Sequence, residues 1–289
     1  MLPNRRAGPA HVPCEAGWVE IASLHTYPVK GCHRIDHVEA VAEPWGFAGD
    51  RRWMVVDADG IGITQRITPL LTGLRVGVRP GGLVLNAPGM PALTVPEPVD
   101  AAKEFVRVFR HKPPVPARIA SASDWFGAFL RRPARLVWLG DPTARPIADH
   151  SRPDDRVSFA DGFPMLLTNA ASLSAVNDWL VESGDEPVPM TRFRPNLVVS
   201  GAPPWAEDDW LGHRLRIGDV TFRAAKGCGR CVVTTIDQET GETGRQPLRV
   251  LGKNRRVGTD LLFGINLIPD VYAGESGIVR VGDAVLRLS

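Results

Sequence analysis

The sequence predicts an α+β, β-rich fold: two strand-rich modules with helices packed beside them. Three observations lead there. Apolar and polar residues alternate at a period of two in short runs, and 29 Gly and 26 Pro punctuate those runs at close intervals. Against this, just two segments carry a helical apolar stripe. A length of 289 residues suits about two domains.

In chain order, the first 16 or so residues are polar with Pro and Gly, and read as a loose leader. From Trp18 onward, Val19, Ile21, Ser23 and His25 alternate with Glu20, Ala22 and Leu24 in a strand that ends at Tyr27-Pro28. Arg52–Asp57 reads as a buried strand, with Asp59-Gly60 as a turn into Ile61–Thr64. Strands are expected at 74–79, 83–86 and 105–110, separated by Pro80-Gly81-Gly82 and the Pro-rich 88–98. Ser123 can cap a helix over 123–132, whose Trp125, Phe126, Phe129 and Leu130 share a face, with Pro133 as the stop. Pro142–Pro153 is the linker candidate. Asn169 precedes a second helix over 170–183 with Leu173, Val176 and Leu180 on one face, closed by Gly184. Strands are expected again at 196–200, 213–217, 220–225, 231–236 and 278–288. Trp53, Phe193 and Trp210 are expected in the core.

Charge and cysteine usage narrow the function. Lys+Arg 34 against Asp+Glu 32 leaves a net charge of +2, which excludes a generic nucleic-acid binder but permits a local basic pocket. Four cysteines, Cys14, Cys32, Cys228 and Cys231, are too few for a disulfide scaffold, and no second pair completes a zinc-finger spacing. The N-terminus has no apolar signal core, and the uncharged stretches around 80–96 and 163–177 are interrupted by Pro, Gly, Asn and Ser. The expectation is a cytoplasmic protein with no membrane span.

The sharpest local feature is Lys226-Gly227-Cys228-Gly229-Arg230-Cys231, followed by the β-branched run VVTTID. A redox dithiol normally opens a helix, which that run disfavours. Two ordinary half-buried cysteines are the plain alternative. A third reading makes one thiolate a soft metal ligand, with Lys226 and Arg230 holding anionic groups nearby. Tyr27-Pro28-Val29-Lys30-Gly31-Cys32 places a lysine at a glycine bend, and Phe193-Arg194-Pro195-Asn196 sets a guanidinium and an amide around a rigid proline. Lys30 or Arg194 alone would most often be a solvated surface charge.

YPVKGC at 27–32, GDRRWMVVD at 49–57, TQR at 64–66, RFRPNLVVSG at 192–201, WAEDDW at 205–210 and CGRCVVTTID with TGE at 228–242 occur in that order. Together they resemble the molybdenum cofactor sulfurase C-terminal (MOSC) family with its N-terminal β-barrel partner, and within it the amidoxime-reducing components and their bacterial relatives. The resemblance covers roughly residues 18–289. It implies an N-terminal MOSC-type β-barrel module over 18–142 and a MOSC β-barrel domain with flanking helices over 143–289, after a leader over 1–17.

The resemblance also implies a molybdenum cofactor (Mo-molybdopterin), with Cys231 as the protein's thiolate ligand to the metal. Lys30 and Arg51 match basic residues that hold the cofactor, and Arg194, Asn196 and Arg230 match later contacts. Gly31 and Gly229 lie where relatives often carry Ser, so contacts there fall to backbone N–H groups. Asp161, Gly162 and Phe163 fall at a further contact stretch, with Asp161 a catalytic candidate beside Cys231. The implied activity is two-electron reduction of N-hydroxylated small molecules of the amidoxime or hydroxylamine type. The alternative is a non-catalytic carrier of the cofactor or a sulfur-transfer module. No Cys follows Cys231 and no dinucleotide fingerprint is present, so electrons are expected from a separate ferredoxin- or cytochrome-type donor served by a flavin reductase.

Overall fold

The computed structural model describes residues 18–272 and 274–288; the expected leader lies outside them. The largest sheet has nine strands. Its path runs Val285–Leu288, Arg214–Ile217, Val220–Gly229, Asp260–Pro269, Met165–Asn169, Leu197–Ser200, Glu20–Thr26 and Ile35–His37, with Arg256–Val257 added beside Asp260–Pro269. The pairing of Met165–Asn169 with Leu197–Ser200 is parallel. A parallel pair needs a long crossover, and the helix Ala170–Glu182 lies within it. Asn169 caps that helix by accepting from the Ala171 amide at 3.0 Å, and Gly184 follows its end at φ +77°.

The two ends of this sheet approach each other. Ile21 N donates to Asp283 O at 2.9 Å, and Val285 N donates to Val19 O at 2.8 Å. The contact is an isolated bridge at Glu20 and Ala284, so among the described residues the sheet curls without a closed ladder. On its inner face Leu24, Leu167, Leu197, Leu215, Phe222 and Ile265 form one buried cluster.

A second, four-stranded sheet joins Trp53–Val56, Arg135–Trp138, Val115–Ile119 and Lys103–Val106. A three-stranded meander follows Arg75–Arg79, Gly82–Asn86 and Leu93–Pro96. The helix Ser123–Leu130 packs here, burying Trp125, Phe126, Phe129 and Leu130. Strand pairing also links the early and late parts of the chain: Glu20–Thr26 pairs with Leu197–Ser200, and Glu39–Glu43 pairs with Gly277–Arg280.

Several expectations are corrected. The segment 231–236 is not a strand: Val232–Thr235 is a 3-10 turn. The hydroxyls of Thr234 and Thr235 donate to Cys231 O and Val232 O at 2.9 and 2.8 Å, a local alternative to a ladder. The run 278–288 is two strands with different partners rather than one, because Gly277–Arg280 joins Glu39–Glu43 and Val285–Leu288 joins Arg214–Ile217. Ser123 opens its helix without capping it, Ala122 being the cap position, and Arg131 ends it at φ +52° before Pro133. Beyond the Asp59-Gly60 turn, Ile61 and Gly62 make isolated bridges, not a strand. Lys30, which on its own reads as a solvated charge, is 5% exposed. Trp53, Phe193 and Trp210 are buried as expected.

Candidate functional site

Five chain segments carry the residues proposed for the site to one cavity of about 380 Å³. The strand Glu20–Thr26 hands over to Tyr27–Cys32, where Lys30 N donates to Trp53 O at 2.8 Å and Gly31 takes φ +78° to make the bend. That bend turns the Lys30 ammonium inward onto the Asp161 carboxylate. Desolvation pushes Lys30 down to about 8, against the pull of Asp161. Desolvation by the cavity wall raises Asp161. With 60% of its side chain exposed, however, the neighbouring Lys30, Arg66 and Arg51 prevail and hold its carboxyl well below the ordinary range. Asp161 is therefore ionised at neutral pH, has no proton to donate, and is a weak proton acceptor that serves as the counter-ion of Lys30.

The second segment brings Arg51, at φ +49°, with its amide bonded to Tyr27 O at 2.9 Å. Its guanidinium donates to Asp50 and, at 3.1 Å, to Asn196 Oδ1. The third brings Arg194, also left-handed at φ +55°, whose guanidinium donates to Gln238 Oε1 at 2.8 Å and Cys32 O at 2.9 Å. Arg51 and Arg194 both lie over the Tyr27 ring, 4.6 and 4.2 Å from its centre. Burial pushes the Tyr27 phenol up to about 12, so it remains a donor, and it donates to Pro195 O at 3.0 Å. Asn196 is fully buried, and its amide accepts from Arg51 and donates to His25 O at 3.1 Å. Its side chain is thus engaged with protein groups while it borders the cavity.

The fourth segment, Ala160–Phe163, is braced by the largely buried Arg145. Its guanidinium bonds the carbonyls of Ser158 and Ala160, and that of Asp161 at 2.9 Å. The fifth is the end of Val220–Gly229, where two register shifts distort the ladder and Cys228–Cys231 border the cavity. Cys228 and Cys231 are free and half-buried. Arg230 donates to Cys228 Sγ at 2.8 Å and to Phe193 O at 2.6 Å, while its Nε is buried without a partner. Arg66 Nη2 stands 3.4 Å from Cys231 Sγ, with its guanidinium 4.9 Å from the centre of the Phe109 ring.

Every residue that the resemblance implies for the site lines this cavity: Lys30, Gly31, Arg51, Asp161, Gly162, Phe163, Arg194, Asn196, Gly229, Arg230 and Cys231. Sequence reasoning passed over Phe109, Asp260 and Asn266, which also line it, and Arg145 and Gln238 behind it. Arg66, which the TQR motif at 64–66 carries, lines it too, and a cation inside a matched motif is a usable signal. Six cations (Lys30, Arg51, Arg66, Arg194, Lys226, Arg230) face two carboxylates (Asp161, Asp260), so the cavity concentrates positive charge that the chain as a whole lacks. Among the described residues no group of three or more His, Cys, Asp or Glu could hold a metal. A metal at Cys231 would have to arrive with most of its own ligands.

The chain is 32% identical to mitochondrial amidoxime-reducing component 1 of Homo sapiens, over 93% of this chain and 82% of that protein. It is 30% identical to mitochondrial amidoxime reducing component 2 of Homo sapiens, over 93% and 83%. It is 29% identical to molybdenum cofactor sulfurase of Oryza sativa subsp. japonica, over 89% of this chain but 34% of that protein. The MOSC N-terminal beta barrel domain matches residues 18–133 and the MOSC domain matches residues 154–286. The chain belongs to the family of proteins that join a MOSC N-terminal beta barrel domain to a MOSC domain.

Proposed function

We propose that this chain is a molybdenum-cofactor-dependent oxidoreductase that reduces N-hydroxylated small molecules with electrons from a separate donor protein. The observation that carries the reading is the convergence of a half-buried free thiol, Cys231, with six cations in one cavity. That donor set suits a metal bound through one thiolate and carrying a large anionic organic ligand, and the orphaned Nε of Arg230 leaves a donor to spare. When bound, the cofactor supplies two-electron redox chemistry with transfer of oxygen. The overall change is N–OH plus two electrons and two protons giving N–H plus water.

The residues of this chain hold and orient. Cys231 would bind the metal, and Lys30, Arg51, Arg194 and Arg230 would hold the anionic and polar parts of the cofactor. Asp161 keeps Lys30 turned into the cavity as its ionised counter-ion. Arg145 and Asn196 fix the backbones that carry these groups. Arg66 and Phe109 wall the cavity beside the thiol.

The reading places the protein in the cytoplasm; among the described residues no helix is long and apolar enough to cross a membrane. A second reading, a carrier or sulfur-transfer module for the cofactor, is favoured by the similarity to molybdenum cofactor sulfurase. Turnover separates the two. Molybdenum-loaded protein is expected to reduce benzamidoxime with reduced viologen, while NADH alone supports no turnover. A flavin reductase with a ferredoxin- or cytochrome-type carrier should restore the NADH-dependent rate, and salt should slow it. No viologen-driven turnover by loaded protein would favour the carrier.

A further inference from the structure

Gln65 and Gln238 stand 173 residues apart in sequence, and both are buried, at 1% and 4% exposure. Their amides pair reciprocally. Gln65 Nε2 donates to Gln238 Oε1 at 2.9 Å, and Gln238 Nε2 donates to Gln65 Oε1 at 3.0 Å. Each amide also reaches a third group. Gln238 Oε1 accepts from Arg194 Nη1 at 2.8 Å, and Gln65 Nε2 donates to Gly31 O at 2.8 Å. Gln238 Nε2 donates in addition to Ile236 O at 3.0 Å.

These bonds orient one another. A guanidinium can only donate, so Gln238 must turn its oxygen to Arg194. Its nitrogen then faces Gln65 Oε1 and Ile236 O, which leaves the Gln65 nitrogen for Gly31 O. The loop that carries Gln238 is itself held, because Asp237 Oδ1 accepts from the amides of Glu239 and Thr240 at 2.9 and 3.0 Å. Glu239 ties the same loop to Arg34 at 2.8 Å and Arg75 at 2.9 Å, with no contact to Arg194.

We propose that the Gln65–Gln238 pair is a positioning device that locks Arg194 and the Gly31–Lys30 bend in the geometry that holds the cofactor. The inference rests on the reading above. Gln238 stands behind the cavity and acts through Arg194; Gln65 borders the cavity and acts through Gly31 while anchoring the loop that carries Arg66. Removing either amide leaves the other buried with unmet donors or acceptors, and the coupling makes the two losses overlap.

The test compares wild type, Q238A, Q65A, Q65A/Q238A and E239A, each purified as the full chain. Two quantities are read: the rate of pterin release on dialysis, and the thermal midpoint. Q238A and Q65A are expected to release pterin at least ten-fold faster than wild type, with the double variant no faster than the worse single one. E239A, which loosens the same loop, should lower the midpoint yet keep wild-type release. If Q238A fails to fold, Q65A gives the independent measurement, since it removes no contact to Arg194. Wild-type release in the glutamine variants, or equally fast release in E239A at the same midpoint, would overturn the inference. A wild type that contains no pterin would remove the reading on which the inference stands.

Discussion

Cys231→Ser is expected to strip the protein of molybdenum and abolish turnover, while Cys228→Ser keeps both. The two thiols sit three residues apart in one cavity, yet their surroundings differ. Cys228 Sγ already lies against the Arg230 guanidinium at 2.8 Å, near the end of a strand that pairs with Asp260–Pro269. Cys231 opens the 3-10 turn Val232–Thr235, with its carbonyl taken by Thr234 and its sulfur near Arg66 at 3.4 Å. A serine hydroxyl is a hard oxygen that stays protonated near neutral pH, so it replaces a soft thiolate poorly at a metal. A redox dithiol would instead need both sulfurs. Equal loss of activity in the two variants, with no metal in the wild type, would mark the pair as a dithiol.

Lys30→Met is expected to have opposite effects on cofactor and fold. The ammonium is buried against an exposed carboxylate, so its removal leaves Asp161 solvated and an apolar side chain in a buried place. Holding an anionic ligand loses a charge-assisted hydrogen bond worth about 1.5–3 kcal/mol, roughly one to two orders of magnitude in affinity. The pH dependence follows from the lowered pKa. The folded group titrates at about 8 and the unfolded one at 10.5, so the unfolded chain binds more protons between those values. Desolvation of Lys30 therefore weighs fully on the fold below pH 8 and is relieved as pH rises from about 8 to 10.5. Over the same window the neutral amine loses its hold on anions. Cofactor-free wild type should gain stability relative to K30M between pH 7 and pH 10, while loaded wild type releases its cofactor faster as pH rises. Flat release from pH 7 to pH 10, or equal affinity in K30M, would return Lys30 to a purely structural role.

Much of the cavity wall was legible because its segments announce themselves locally. Gly31 sits at a bend, Pro195 fixes the chain after Arg194, and the CGRC run closes a strand. Each such segment carries its chemistry within a few residues, so the matched motifs named side chains that the fold gathers around one space. The supporting residues carry no such mark. Arg145 and Gln238 act through contacts 16 and 44 residues away, which a local pattern cannot reveal. Strands followed the same division. Glu20–Thr26 shows through its alternation, whereas Met165–Asn169 is buried throughout and Asp260–Pro269 is mostly buried from Phe263 on, and strands covered on both faces lose the period of two. The β-branched run after Cys231 misled for the converse reason: its threonines satisfy the backbone locally, and the ladder ends before it, with Gly229 opposite Leu262 as the last pair.

The most direct test of the central claim is the molybdenum and pterin content of the purified full chain, by elemental analysis and by pterin fluorescence after denaturation. The account predicts molybdenum and pterin in equal amounts, both lost together in Cys231→Ser. Protein expressed in a molybdenum-replete, cofactor-producing host that contains neither, or that binds pterin identically without Cys231, would contradict it.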